Sequence, residues 1–438
     1  MALSESRPGT TTEQIAGRLH YAWIVAPVTF LVLLVAAGVR TAPAVLMTPL
    51  MQKFGWSHAS ISFAVGISLI WFGLGGPVGG SLIDRFGPRR VMLGGLALIG
   101  LGLALMLGMS NLWQFHVAWG VVTGIGTGAV AQVLGATVAH RWFRTHRGLV
   151  IGLFGAASAA GQLIFLPAMI GLTRWGGWQA AVGVTAAVVL ALMAPVLLLM
   201  RDQPEAISLR PLGDPSPGPG QSDGTQRALD VTESAQHTTL AQAARTRDFW
   251  LLAASFFICG YTTNGLIGTH LLPHAIEHGF SDVAAASALG LMGMMNIVGT
   301  LASGWLSDRY DNRFLLATYY GLRALAIAGL PFVIDMSGLL IFAILYGLDW
   351  VATVPPTVNL TAMRFGKSSL GTLYGWIFFS HMLGAGLAAY AGGVVRDSLG
   401  SYTPAFVSAA LLGFLAAAFS LSITPLRRPR VVPALSAE

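Results

Sequence analysis

Apolar stretches of about 20 residues recur twelve times along this 438-residue chain, each parted from the next by a charged or turn-rich break. That recurrence leaves few folds open. In helical form a run of this length crosses the roughly 30 Å hydrocarbon core of a bilayer. The runs cover about 22–50, 58–82, 91–109, 113–139, 148–172, 178–200, 248–274, 283–306, 314–335, 338–361, 371–394 and 404–424. Only 10% of the residues are charged, against about 25% in soluble domains, so water is not the solvent for most of the surface. The expected fold is an all-α polytopic membrane protein with twelve transmembrane helices.

A formal charge of +7 does not indicate a nucleic-acid partner, because the basic residues stand in small groups between spans rather than in a stripe or tail. Topology explains them better. With both termini cytoplasmic, the inner segments hold 20 of the 25 Lys and Arg residues, and the outer loops hold only Lys53, Arg174 and Arg396. That asymmetry fixes the expected orientation. The polar N-terminus contains Glu5 and Glu13 and lacks the basic start of a cleaved signal peptide, so the first span is expected to be retained. The expected location is the bacterial inner membrane, in contact with lipid. Cys259, the single cysteine, excludes an intrachain disulfide and reads as a small buried residue.

The two halves of the chain repeat one another. A shift of 224 residues superposes Pro49 on Pro273, Gly55 on Gly279, Gly75 on Gly299, and Gly80, Asp84 and Arg85 on Gly304, Asp308 and Arg309. A shift of 223 matches Gly148, Gly152 and Gly161 with Gly371, Gly375 and Gly384. Two pseudo-symmetric six-helix halves follow, 21–200 and 248–425, flanked by tails 1–20 and 426–438. Between them, 201–247 is rich in Pro, Gly, Ser, Asp and Gln and reads as a flexible cytoplasmic linker. Parallel repeats of this kind place a substrate site between the halves near mid-membrane.

Between the second and third spans stands Gly80-Ser81-Leu82-Ile83-Asp84-Arg85-Phe86-Gly87-Pro88-Arg89-Arg90. It matches the signature G-x-x-x-D-R-x-G-x-[RK]-[RK] without a gap, and the chain resembles the major facilitator superfamily of transporters. A loop selected only for positive charge explains the arginines but not the Gly and Asp spacing. Gly80 permits close helix approach, Asp84 can pair with arginine or cap a neighbouring helix, and Arg85, Arg89 and Arg90 are expected to hold the cytoplasmic gate and meet anionic headgroups. In the second copy Asp308 and Arg309 persist, but Asp311 replaces the motif glycine. More narrowly, the chain resembles the monocarboxylate carrier and oxalate/formate antiporter branch. Phe54-Gly55-Trp56-Ser57, Ala139-His140-Arg141-Trp142-Phe143 with Arg147-Gly148, and Gly161-Gln162 carry that likeness.

An ionisable side chain within a span is costly, about 2.5–3.5 kcal/mol on insertion scales, so each is a functional candidate. Arg40 lies in the outer part of the first span, where the resemblance puts a lysine one position away; its planar fork suits a carboxylate, though it can also snorkel to the interface. His381 falls near where the antiporters have a substrate-binding lysine, and it can serve as anion partner, proton acceptor or satisfied buried histidine. The family's arginine in the eighth span is replaced by Thr300, so either Arg40 has taken over its role or the substrate differs. Asp349 is the carboxylate nearest a span centre and the candidate proton carrier; the alternative is a permanent pair with Arg323, which reads as structural.

Asn264, the repeat partner of Arg40, is joined by Gln132, Gln162, Asn296, Ser380 and Tyr261 as candidate substrate contacts. Interhelical hydrogen bonding explains any one of the amides equally well. Trp71, Trp350, Tyr374 and Phe378 can wall a cavity or merely pack. His270, His274 and His278 recur at i, i+4 and i+8 and can face an entering ligand, while a metal site there finds little support. The sequence thus predicts a monomeric secondary carrier of a small organic anion, most simply a monocarboxylate moved with protons by rocking of the halves, with no cofactor or metal. An oxalate/formate-type exchanger and an exporter of hydrophobic compounds are the alternatives. A receptor would call for a signalling domain, and no paired carboxylates, nucleophile elbow or phosphate loop suggests an enzyme.

Overall fold

A computed structural model describes residues 20–213, 238–366 and 369–425, together with all their side chains except those of Gln132, Arg147 and Ala159. The tails 1–19 and 426–438 and the middle of the expected linker lie outside the described residues. Among the described residues twelve long helices follow in order: α1 Ala22–Phe54, α2 His58–Phe86, α3 Pro88–Leu107, α4 Leu112–Trp142, α5 147–175, α6 178–199, α7 Arg247–Glu277, α8 Asp282–Ser307, α9 Asn312–Phe332, α10 Met336–Phe365, α11 Leu370–Leu399 and α12 Thr403–Ser422. α5 and α6 are separate helices that meet at a sharp kink, where Gly176 and Gly177 leave helical backbone and Gly177 takes a positive φ of 76°. Every expected span is present. Side chains such as Leu101, Leu105, Ile341, Leu345 and Leu411 stay exposed on the outside of the bundle, where lipid rather than water satisfies them.

The stretch expected to be a flexible linker is ordered at both ends. Leu212 bridges to Phe143, accepting from the Arg144 amide at 2.9 Å and donating to the Trp142 carbonyl at 2.9 Å. At its other end, Thr239 caps the short helix Leu240–Ala243. We call this end of the bundle, which carries the Asp84 loop and the linker, the motif end, and the opposite end the far end.

The halves meet chiefly along α2 and α11. A side chain at Gly66 would sit 2.6 Å from the Gly386 carbonyl, and one at Gly393 would sit 2.8 Å from Ala59, so only glycine permits this approach. Toward the motif end the pair diverges: a Cβ at Gly79 or Gly371 would meet nothing within 4 Å. Polar contacts between the halves gather at the far end. Arg174 of α5 pairs with Asp282 of α8 at 3.0 Å, and His58 at the start of α2 meets Asp397 of α11 at 2.9 Å. The bundle is therefore shut at the far end.

Candidate functional site

Four helices lose regularity near their midpoints. α1 breaks at Arg40–Thr41, α4 at Val130–Ala131 and α10 over 350–353, while α7 widens into a π-helix over Tyr261–Ile267. The repeat relates these breaks in pairs, α1 to α7 and α4 to α10. At membrane depth irregular backbone survives only where its polar groups find partners or line a cavity, and π segments concentrate at functional sites.

At the α1 break the Arg40 guanidinium lies over the Phe72 ring of α2, 4.2 Å from its centroid. Among the described residues no carboxylate pairs with it. Phe72 meets Phe378 of α11 with ring centroids 6.0 Å apart, and Phe378 stacks on His381 at 5.8 Å and 9°. Two aromatic rings thus bridge the halves, with a cation beyond one and an imidazole beyond the other.

His381 is buried, with Nδ1 3.1 Å from the Phe256 carbonyl and Nε2 3.4 Å from the Asn264 carboxamide. Asn264 sits within the π segment of α7, so the unusual helix is what brings this amide to the imidazole. Ser380, Asn296 and Tyr261 are engaged elsewhere. Ser380 donates to the Ala253 carbonyl at 3.0 Å and stitches α11 to α7. Asn296 accepts from Thr300 of its own helix at 3.1 Å. Tyr261 packs against the apolar cluster of the C-terminal half. Gln162 is half-buried, and the side chain of Gln132 lies outside the described residues.

Arg323 and Asp349 are joined deep in the C-terminal half. Arg323 Nε donates to Asp349 Oδ2 at 2.6 Å, Nη2 to the Asp349 carbonyl at 2.6 Å, and Nη1 lies 2.9 Å from Cys259 Sγ. Ser303 donates to the Ala352 carbonyl at 2.5 Å. One guanidinium and one hydroxyl therefore satisfy carbonyls that the α10 break frees. Asp349 Oδ1, also buried, has no hydrogen-bond partner among the described residues.

At the motif end Asp84 pairs with Arg141 of α4 at 3.3 Å, within its own half. Gly80 only touches Val133, at 4.0 Å from its ideal Cβ; the closest approach of α2 to α4 is Gly75 against Gly128. Arg85 lies over Phe86, Arg90 is exposed, and the Arg89 guanidinium donates to the Leu197 carbonyl of α6. In the second copy Arg309 folds back over Trp305, Asp308 is exposed, and Arg364, the repeat partner of Arg141, pairs instead with Asp248 at 2.6 Å. Sequence reasoning missed Asp202, just after α6, which accepts from the Arg89 amide at 2.9 Å and caps α3. An Asp84 side chain 78% exposed offers a pair worth about 0–1 kcal/mol, whereas loss of a cap costs about 0.5–2 kcal/mol. Asp202→Ala is thus expected to destabilise the detergent-solubilised protein more than Asp84→Asn in chemical unfolding; the reverse order would refute this assignment.

Of the three histidines in this register, His270 and His274 do not face an entrance, while His278 at the end of α7 is exposed. His270 is fully buried, with Nε2 2.8 Å from the Ala389 carbonyl and Nδ1 3.3 Å from the Tyr402 hydroxyl, and His274 packs edge-on against Phe406 at 4.9 Å. That face of α7 is spent on α11 and α12. No group of three or more metal-ligating side chains occurs among the described residues.

The family model described as Major Facilitator Superfamily matches residues 29–389. An uncharacterised MFS-type transporter of Bacillus subtilis is 27% identical over 87% of this chain and 90% of its own length. Monocarboxylate transporter 13 of Bos taurus is 25% identical, covering 92% and 89%, and the oxalate:formate antiporter of Oxalobacter formigenes is 24% identical over 94% of both chains. Among solved structures, a bacterial homolog of the human lysosomal transporter Spinster, inward-facing and unoccupied, superposes with a TM-score of 0.70 at 15% identity, covering 93% of this chain and 98% of that one. A D-xylose-proton symporter gives 0.69 at 17% identity, covering 92% and 98%. At these identities the solved structures speak for the fold alone.

Proposed function

We propose, for a chain that belongs to the Major Facilitator Superfamily and is a membrane transporter rather than an enzyme, that its cargo is a small organic anion, most simply a monocarboxylate. The observation that carries this reading is Arg40: a guanidinium at mid-depth with no carboxylate partner among the described residues, facing His381 across two aromatic rings. A half-buried cation at membrane depth without a counter-ion is costly, and a carboxylate accepting two parallel hydrogen bonds from its planar fork supplies what is missing. The monocarboxylate and oxalate:formate relatives favour the same class.

Proton coupling is assigned first to His381. With Nδ1–H directed at the Phe256 carbonyl, Nε2 can take a proton if the Asn264 carboxamide turns its oxygen toward it, so both charge states keep their hydrogen bonds. The unpartnered Oδ1 of Asp349 favours that carboxyl as a second proton site. Asn264 is the one uncharged candidate we place against the cargo; Gln132, Gln162, Asn296, Ser380 and Tyr261 are assigned secondary contact or packing roles. The motif end is taken as cytoplasmic, on the charge asymmetry of the loops, with halves 21–200 and 248–425 rocking about the cargo.

A thermal-shift screen tests the cargo class on purified protein. Short carboxylates should raise the melting temperature, and His381→Ala should weaken that response. Stabilisation by organic cations or neutral amphiphiles alone would contradict the reading.

A further inference from the structure

At the far end one histidine ties the halves together. His58, the first residue of α2, has Nδ1 2.9 Å from Asp397 Oδ1 of α11 and Nε2 3.4 Å from Glu277 Oε1 of α7. Asp397 also accepts from the backbone amides of His58 at 3.2 Å and Ala59 at 2.7 Å, capping α2 from the opposite half. Arg396 completes the group, donating from Nε to Glu277 Oε2 at 2.9 Å. The other titratable groups packed here are the Tyr402 ring at 6.0 Å from His58, His270 and His274 beneath it on α7, His278 tilted against His274 with ring centroids 4.1 Å apart, and His116 of α4, held by the Ser60 carbonyl at 2.9 Å.

We infer that His58, Glu277 and Asp397 form a proton-operated latch that holds the far mouth shut. Both imidazole nitrogens face carboxylate oxygens, and a carboxylate only accepts. Only the imidazolium, with a hydrogen on each nitrogen, satisfies both contacts. In that form His58 and Arg396 balance Glu277 and Asp397, two charges against two. When the far-side solution takes the proton away, one ring nitrogen turns its lone pair on a carboxylate and the group is left with a net negative charge. Closure is complete on the acid side of the histidine range and weakens as pH rises through it, between about pH 5 and 8. The proton that locks this mouth arrives from the side that the mouth admits. The latch goes beyond the cargo assignment and requires only that the halves part at this end during the cycle.

Spin labels at Gly108→Cys, after α3, and Ile334→Cys, after α9, sit on exposed far-end positions in opposite halves, while Cys259 is buried. Double electron–electron resonance in lipid nanodiscs, without cargo, reads the mouth directly. Between pH 5 and pH 8 the deprotonated fraction of an ordinary histidine rises more than about tenfold, so a second, longer-distance population should appear and grow at least about threefold. His58→Gln, and separately Asp397→Asn, should give the same distribution at both pH values. A pH-independent distribution in the labelled parent, or a response that survives in His58→Gln, overturns the latch. Because no carboxylate is present, neither result depends on the cargo being an organic anion.

Discussion

Arg40→Ala should weaken carboxylate binding by about 10- to 100-fold while leaving the folded protein as stable as before. The affinity figure follows from losing a charge-assisted hydrogen-bonding partner worth about 1.5–3 kcal/mol. Unchanged stability follows from what Arg40 touches: its guanidinium rests on Phe72, and no carboxylate among the described residues depends on it. Removing it strands no charge and relieves the cost of holding a half-buried one. Arg40→Lys should recover only part of the affinity, since an ammonium cannot reproduce the two parallel bonds of the fork. Titration of the purified variants with the best ligand, alongside their melting temperatures, separates the two effects. A variant that melts early and also binds poorly would recast Arg40 as a packing residue.

Arg323 should behave in the opposite way. Its guanidinium is the partner of Asp349 Oδ2 and of the Asp349 carbonyl, and it lies against Cys259 Sγ. Arg323→Met therefore strands a buried carboxylate and a freed carbonyl together. Breaking a buried pair from one side costs about 3–5 kcal/mol, a fall in melting temperature of roughly 5 °C for a chain of this length. Arg323→Met combined with Asp349→Leu should recover most of that loss, because the stranded charge has gone too. If the single variant melts like the parent, the α10 break is supported by something else. If Asp349→Asn keeps full proton-driven uptake, the proton is carried elsewhere, and His381 is left as its site.

These contrasts show which parts of the molecule can be read from residue order. The twelve spans were legible because the length of an apolar run is fixed by bilayer thickness, and the Arg323–Asp349 pairing because two lone charges in neighbouring spans have few other partners. The helix breaks were harder. Pro43 and the Pro355-Pro356 pair stand near those of α1 and α10, but nothing local distinguishes Val130–Ala131 or the π turn that brings Asn264 to His381. These depend on tertiary hydrogen bonds such as that from the Tyr346 hydroxyl to the Thr262 carbonyl at 2.7 Å. The histidine periodicity of α7 was real but its direction was not encoded, since the same face suits an aqueous mouth or Tyr402 and Phe406. His58 and Asp397 read as ordinary loop residues because 339 positions separate them. Asp202 lay in a stretch whose composition suggested only flexibility.

The central claim, an organic anion carried between Arg40 and His381 together with a proton, is tested most directly in proteoliposomes. With the interior alkaline and the exterior acidic, uptake of a labelled short monocarboxylate should exceed equilibration. It should collapse with a protonophore and be lost in Arg40→Ala. Failure of every small carboxylate to accumulate, or uptake by Arg40→Ala at the parent rate, would contradict the account.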